Sequence, residues 1–347
     1  MKRALVITSI YSPNQALKRF AESALKNAID FYLIGDVKTP KDFSLKECKF
    51  YSLTDQAKLP FALSGLLPHN SYTRKNIGYL LAIKNGAEII FESDDDNFPL
   101  DIFFQEKNLN PNAYVLRNKN WVNIYKYFTS ENIWPRGFPL DHIKNAIPEI
   151  STLEKKSVRC PIQQGLADEN PDVDAIYRLT QSLPIYFQGK DDFAVGNGTY
   201  CPFNTQSTLF FKEAFPLMYL PSTCNARLTD IWRGLIATRV AWTNDWYILF
   251  TKPTVYQERN AHDLMHDFKL EMDLYLHNAK LCEYLNNLDL KSGVNYIEKN
   301  MLSCYQKMIE LKLIQKEELH LLDAWFNDIS RYQERLSQAF ENEYTTV

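Results

Sequence analysis

The chain has 347 residues, 45% of them hydrophobic and 14% aromatic, enough to bury a large core as one big α/β domain or about two domains. A formal net charge of -3 carries no footprint of a nucleic-acid binder, and no apolar run reaches the length needed to cross a bilayer. The six cysteines (Cys48, Cys160, Cys201, Cys224, Cys282, Cys304) are scattered without a CxxC spacing, which points to neither a zinc site nor a disulfide framework and fits a reducing, cytoplasmic setting.

Behind Lys2 and Arg3, the apolar run at 4–10 is too short for a signal peptide and reads as a first buried strand. It ends in the turn Tyr11-Ser12-Pro13-Asn14, after which Ala16, Leu17, Phe20, Ala21, Ala24 and Leu25 fall on one helical face. A second strand, Phe31 to Ile34, stops at Gly35-Asp36, and a third short one is expected at 48–53. A helix over 74–85 buries Ile77, Leu80, Leu81 and Ile83 and closes at Gly86 as its C′ residue. The next strand, 87–92, runs directly into Asp94-Asp95-Asp96. Strand, helix, strand, strand, helix, strand and then acid predicts a mostly parallel sheet with ligands at the carboxyl ends of its strands.

Three adjacent carboxylates repel one another unless solvent or a cation compensates them. A solvated acidic turn is one reading of Asp94-Asp95-Asp96. The other is a site for Mg²⁺ or Mn²⁺ bridging a diphosphate, since hard cations take oxygen ligands and often hold only one or two protein carboxylates plus substrate phosphates. Neither GxGxxG nor GxxxxGK[ST] occurs, which argues against a dinucleotide oxidoreductase and a P-loop phosphotransferase. An Asp cluster after an α/β half without a Gly-rich loop follows the logic of the GT-A nucleotide-sugar fold. Asp36, at the end of an early strand, suits a carboxylate that accepts hydrogen bonds from a nucleotide base or ribose; turn chemistry after Gly35 is the alternative.

Several blocks extend this pattern: Tyr72-Thr73-Arg74-Lys75-Asn76-Ile77-Gly78, Glu92-Ser93-Asp94-Asp95-Asp96-Asn97, Trp134-Pro135-Arg136-Gly137-Phe138-Pro139, Gln164-Gly165-Leu166-Ala167-Asp168, Arg227-Leu228-Thr229-Asp230-Ile231-Trp232 and Gln257-Glu258-Arg259-Asn260-Ala261-His262. In this order, over residues 4–275, they resemble the STELLO-type glycosyltransferases. More distantly they resemble the reversibly glycosylated polypeptides that act as UDP-arabinopyranose mutases. The resemblance implies a Rossmann-like GT-A domain over 1–262, a nucleotide sugar, with UDP as the expected nucleotide, and a hydroxyl or glycan acceptor.

The resemblance also implies roles. Asp94 and Asp96, in an Asp-x-Asp arrangement, would hold Mn²⁺ or Mg²⁺, which neutralises the diphosphate as a Lewis acid, while Asp95 faces ribose or sugar hydroxyls. Arg74 and Lys75 would pair with the Asp cluster or reach the pyrophosphate or base, unless they are a solvated basic helix start. His262 would complete the metal shell, with His266 as its rival. Asp230 would bind the acceptor or act as base, against a structural reading as a helix N-cap. Asp172 and Asp174 form a second acidic turn. Arg136 aligns with the mutase arginine that carries sugar, but a guanidinium stays protonated and is a poor nucleophile, so an electrostatic role toward phosphate or leaving group is expected. Glu-Ser before the Asp triple and Arg-Asn-Ala-His near 260 depart from the mutase pattern toward the STELLO type.

Beyond 263, apolar residues at three- and four-residue spacing among charges predict three or four amphipathic helices as a C-terminal helical region, 263–347, packed on the catalytic domain and offering a surface for a homodimer. The leading expectation is a metal-dependent glycosyltransferase. A nucleotide-sugar mutase and a catalytically silent nucleotide-sugar-binding subunit are the alternatives.

Overall fold

The computed structural model describes residues 1–258 and 263–344, with side chains through Tyr332. In chain order the strands are β1 (Arg3–Thr8), β2 (Asp30–Ile34), β3 (Lys49–Tyr51), β4 (Ile89–Ser93), β5 (Asn97–Pro99), β6 (Asn112–Leu116), β7 (Asn120–Trp121), β8 (Lys155–Ser157), β9 (Ile162–Asp168), β10 (Phe193–Val195), β11 (Thr199–Tyr200), β12 (Ser207–Phe211) and β13 (Ile248–Gln257). The helices are α1 (Gln15–Lys26), α2 (Leu53–Gln56), α3 (Lys75–Lys84), α4 (Ala175–Thr180), α5 (Thr229–Ala241), α6 (Leu264–Asn286), α7 (Ile297–Glu310) and α8 (Glu318–Tyr344).

The main sheet runs β3-β2-β1-β4-β12-β9-β13-β10-β6-β8, with β5 paired on β13 and β7 with β11 apart from it. The first four strands are parallel, so β1, β2 and β4 deliver their carboxyl ends, and the turns that follow, to one edge. Beyond β4 the sheet turns mixed: β12 is antiparallel to both β4 and β9, while β9 and β13 are parallel. The expected mostly parallel sheet with a helical C-terminal region is therefore present, and its second half mixes in antiparallel pairings.

Side-chain alternation explains why the first half is buried on both faces. Leu5, Ile7, Phe31, Leu33, Ile89 and Phe91 pack with Leu17 and Phe20 of α1 on one face. Ala4, Val6, Tyr32, Ile34 and Ile90 point to the other, against α3. Helix α1 starts where Asn14 caps it, its Oδ1 accepting from Leu17 N at 2.9 Å. Helix α3 ends at Gly86, whose φ of +79° is the left-handed C′ geometry expected of it. Gly78 lets α3 approach β1 closely, because a Cβ there would lie 2.3 Å from Val6 Cγ1.

The C-terminal helices form on the expected period and share one core with the sheet: Trp232, Leu274, Leu281, Met301, Leu322 and Trp325 join Ile77 and Leu80. They also supply buried carboxylates to loops elsewhere. Glu318 of α8 accepts from Ser222 N, Thr223 N and the Tyr219 hydroxyl. Asp328 accepts from Ala62 N at 2.9 Å and Leu63 N at 3.0 Å. These charge-assisted bonds fix the segments that lead to Arg227 and to Tyr72. Among the described residues no helix is long and apolar enough to cross a membrane.

Candidate functional site

The acid turn leaves the carboxyl end of β4 and is held between β4 and β5, Asn97 N donating to Asp94 O at 3.3 Å and Glu258 N, just past β13, donating to Asp96 O at 3.2 Å. Its three side chains go three ways. Asp94 Oδ1 accepts from the Tyr72 hydroxyl at 2.5 Å and from Lys75 Nζ at 2.9 Å. Lys75 is fully buried and spends its other donors on Ser93 O and the Tyr72 hydroxyl, both at 2.6 Å. An ammonium with three donors and three acceptors is saturated, so Lys75 serves the Asp cluster and has nothing left for a ligand. Burial, with the Asp94 charge adding to it, pushes the Tyr72 hydroxyl well above its ordinary pKa and keeps it a donor. Asp94 Oδ2 has no protein partner among the described residues.

Asp95 turns toward the loop between β1 and α1, where its Oδ2 accepts from Ser9 Oγ at 2.5 Å and its carbonyl from Asn14 Nδ2 at 2.7 Å. Burial pushes its carboxyl up to about 6 against the opposing hydrogen bond from Ser9. Asp96 turns toward β13, its Oδ2 accepting from Gln257 Nε2 at 2.9 Å. Asp36 accepts from Val37 N, Asn70 N and Ser71 N at 2.7 to 2.9 Å, clamping the 70–71 segment to the end of β2; this is the turn chemistry that stood beside its nucleotide reading.

Arg74 departs from two of its three sequence readings, the solvated helix start and the pairing with the Asp cluster. It is buried rather than a solvated helix start, and it does not pair with the Asp cluster: its Nε donates to Gln56 Oε1 at 2.7 Å and its Nη1 to the Leu67 carbonyl at 3.2 Å. It holds the wall of the cleft. That cleft has a volume of about 360 Å³ and is lined by Asp36, Tyr72, Arg74 and all three aspartates of the run.

A second, smaller cavity of about 70 Å³ continues past Asp94 to Arg136, Asp172 and Asp230. Asp94, Arg227 and Gln257 line both spaces. Arg136 is buried and immobilised: Nε and Nη2 form a two-pronged pair with Asp172 at 2.8 and 2.9 Å, Nη2 also reaches Asp230 Oδ2 at 2.8 Å, and Nη1 donates to the Arg227 carbonyl. Burial works against its charge, but the two carboxylates more than reverse that and hold the guanidinium protonated well above its ordinary range. Burial likewise opposes the charge of Asp172, yet Arg136 brings its pKa below the usual carboxylate value.

Asp230 sits in the first turn of α5, one residue inside it. Leu228 is the cap, without a side-chain cap bond, so the N-cap reading of Asp230 does not apply. Its Oδ1 is buried with no partner among the described residues. Asp174 is the residue that caps a helix, accepting from Tyr177 N at 2.7 Å at the start of α4 and from Trp134 Nε1 at 2.7 Å; burial pushes it up to about 6. His262 lies outside the described residues, and His266 is exposed in the first turn of α6.

Arg227 was quoted in a motif block without a role, and nothing in its sequence neighbourhood announces that it reaches both cavities. Tyr72, Gln257 and Glu271 were missed in the same way, because their significance comes from contacts across 22 to 161 residues.

Residues 227–347 match the family model of the STELLO glycosyltransferases. Over 315 aligned residues the chain is 28% identical to probable glycosyltransferase STELLO2 of Arabidopsis thaliana, with 85% of this chain and 41% of that protein covered. Against probable glycosyltransferase STELLO1 of the same plant the identity is also 28%, covering 85% of this chain and 40% of that protein. The chain thus spans about two-fifths of the length of these relatives. Among solved structures, the M. tuberculosis glucosyl-3-phosphoglycerate synthase superposes with a TM-score of 0.38 at 8% identity, covering 82% of this chain and 80% of that chain. The resemblance of the motif blocks to the STELLO-type glycosyltransferases is borne out by these sequence relatives.

Proposed function

From a chain related in sequence to the STELLO glycosyltransferases over 85% of its length, we propose a metal-dependent glycosyltransferase region that takes a nucleoside-diphosphate sugar, with UDP as the nucleotide, and passes the sugar to a hydroxyl acceptor. The observation that carries this reading is the pair of adjoining cavities, which share Asp94, Arg227 and Gln257 as lining. The larger, at the carboxyl ends of β1, β2 and β4, suits a nucleotide and has the three aspartates on its wall; the smaller, wholly polar one suits a sugar.

Asp94 and Asp96 fit a hard divalent cation such as Mn²⁺ or Mg²⁺. Both residues line the same cleft, and Asp94 Oδ2 is free of protein partners among the described residues. Among those residues no group of three His, Cys, Asp or Glu side chains converges on one cation position; phosphate oxygens, water and His262, which lies outside the described residues, are the groups left to complete the shell. When bound, the cation supplies Lewis-acid neutralisation of the diphosphate.

This chain's own residues do the remaining work. Lys75 and Tyr72 fix the Asp94 carboxylate in one orientation, and Gln257 fixes Asp96. Asp95, held by Ser9, keeps the β1 loop against the acid turn and borders the nucleotide space. Arg136 holds Asp230 so that its unpartnered Oδ1 can accept a hydrogen bond from a sugar or acceptor hydroxyl. Arg136 itself is fully charged and locked in ion pairs, which favours a holding role over the covalent role that a mutase would need.

Calorimetric titration of UDP with and without Mn²⁺ tests the reading. Asp94→Ala with Asp96→Ala should abolish the metal-dependent part of UDP binding, and radiolabelled UDP-sugars should pass label to a hydroxyl acceptor in the unmutated protein. Unchanged metal-dependent binding in the double variant would sink it, and label retained on Arg136 would replace transfer by the mutase.

A further inference from the structure

Of the cations that line the two cavities, Arg136 is spent on Asp172 and Asp230, and Arg74, whose Nε and Nη1 bond Gln56 and loop carbonyls, lines the larger cavity alone. Arg227 differs. Its Nε donates to Glu271 Oε1 at 2.9 Å and its Nη2 to the same oxygen, while Nη1 has no protein partner among the described residues. The side chain keeps 18% of its surface exposed and borders both cavities, where they share Asp94 and Gln257.

The anchor is rigid. Glu271 of α6 is fully buried, and its second oxygen accepts from Ala175 N at 2.7 Å and the Tyr275 hydroxyl at 2.6 Å. The backbone of Arg227 is fixed as well, with its N–H on Asn225 Oδ1 at 2.9 Å and its carbonyl on Arg136 Nη1. A guanidinium gripped along one edge, with Nη1 unpartnered among the described residues, on a residue that borders both a nucleotide-sized space and a smaller polar one, is placed for the group that joins nucleotide to sugar.

We propose that Arg227, aimed by Glu271, binds the β-phosphate of the nucleoside diphosphate. This rests on the reading of the larger cleft as a nucleotide site. It assigns to the C-terminal helical region a positioning residue for the site, since Glu271 lies on α6. Arg136, the arginine singled out by motif, is then a brace behind the one that meets the substrate.

The test is calorimetric titration of UDP and UMP at saturating Mn²⁺ for the unmutated chain and for Arg227→Met, Arg227→Lys and Glu271→Gln. Losing charge-assisted hydrogen bonds should weaken UDP binding in Arg227→Met at least about tenfold. UMP affinity, which also reports that the cleft is folded, should stay unchanged. Arg227→Lys should recover part of the loss, and Glu271→Gln should fall between. If UDP binds Arg227→Met as tightly as the unmutated chain, or if UMP weakens as much as UDP, the assignment is overturned while the nucleotide reading stands. If UDP fails to bind the unmutated chain, the nucleotide reading falls and takes the assignment with it.

Discussion

Replacing Arg136 by Met leaves two carboxylates, Asp172 and Asp230, in a pocket where their side chains are only 10% and 5% exposed. The substitution keeps length and apolar stem but removes a cation that makes three bonds of 2.8 to 2.9 Å to those acids. Breaking a buried pair while leaving its partner charged costs on the order of 3–5 kcal/mol, and here two acids are stranded, so the upper part of that range is expected at pH 7. Urea unfolding followed by tryptophan fluorescence would read this as a fall in midpoint at unchanged slope. The pH dependence carries a sign. In the unmutated chain Asp172 is held below the usual carboxylate range, so its contribution is present at neutral pH and lost as pH falls through that depressed value. In the variant Asp172 keeps the burial that disfavours its charge and loses the Arg136 charge that offset it, so it binds its proton more readily folded than unfolded and the deficit should narrow between pH 7 and pH 5. A cycle with Asp172→Asn should show a coupling of roughly 1–3 kcal/mol. A loss below about 1 kcal/mol, the range of an exposed ion pair, would refute the brace and make Arg136 a mobile side chain again, as a sugar-carrying arginine must be.

Two further outcomes follow from local packing and charge. Gly78→Ala gains up to about 1 kcal/mol of helix propensity, but its methyl would meet Val6 Cγ1 at 2.3 Å and Ile34 Cγ1 at 3.0 Å. A net loss of about 1–2 kcal/mol is expected from the overpacking, read as a lower thermal midpoint, together with weaker UDP binding because α3 carries Lys75; an unchanged midpoint would contradict the close packing of α3 on β1. Asp174, pushed up to about 6 by burial, binds its proton more tightly folded than unfolded. Its share of stability is therefore full below about pH 4 and declines by on the order of 2 kcal/mol as pH rises to about 6. Asp174→Asn should flatten stability against pH across that window in urea titrations, and an unaltered slope would contradict the buried carboxyl.

What was legible in the sequence is what is local. The apolar runs at 4–10 and 31–34, the turn at Asn14 before α1 and the Gly86 end of α3 each depend on residues a few positions apart, and each stands within a few residues of where the pattern placed it. The strand running into Asp94 was readable for the same reason. The second half of the sheet was not: β12 inserts between β4 and β9, and β13 lies between β9 and β10, pairings that join segments from 89–93 to 248–257. Such register is set by which faces must be covered after the chain has collapsed, and short apolar runs do not encode it one by one.

The same limit explains why the motif reading chose Arg136 over Arg227. Charge and motif are visible in a sequence, but availability is not: an arginine can bind a ligand only with donors its neighbours have left free. Arg136 meets Asp172 36 positions away and Asp230 94 positions away, and together they occupy three of its five N–H groups. Arg227 meets Glu271 44 positions away, edge on, and keeps Nη1 open among the described residues. Both arginines are tied to each other by the Arg136 bond to the Arg227 carbonyl, so a change at either is felt at both. The two substitutions should nevertheless separate. Arg136→Met should lower stability first and affinity only through displaced neighbours, whereas Arg227→Met strands one acid, not two, and leaves the buried Glu271 its bonds from Ala175 N and the Tyr275 hydroxyl, so it should lower UDP affinity with a smaller cost in stability.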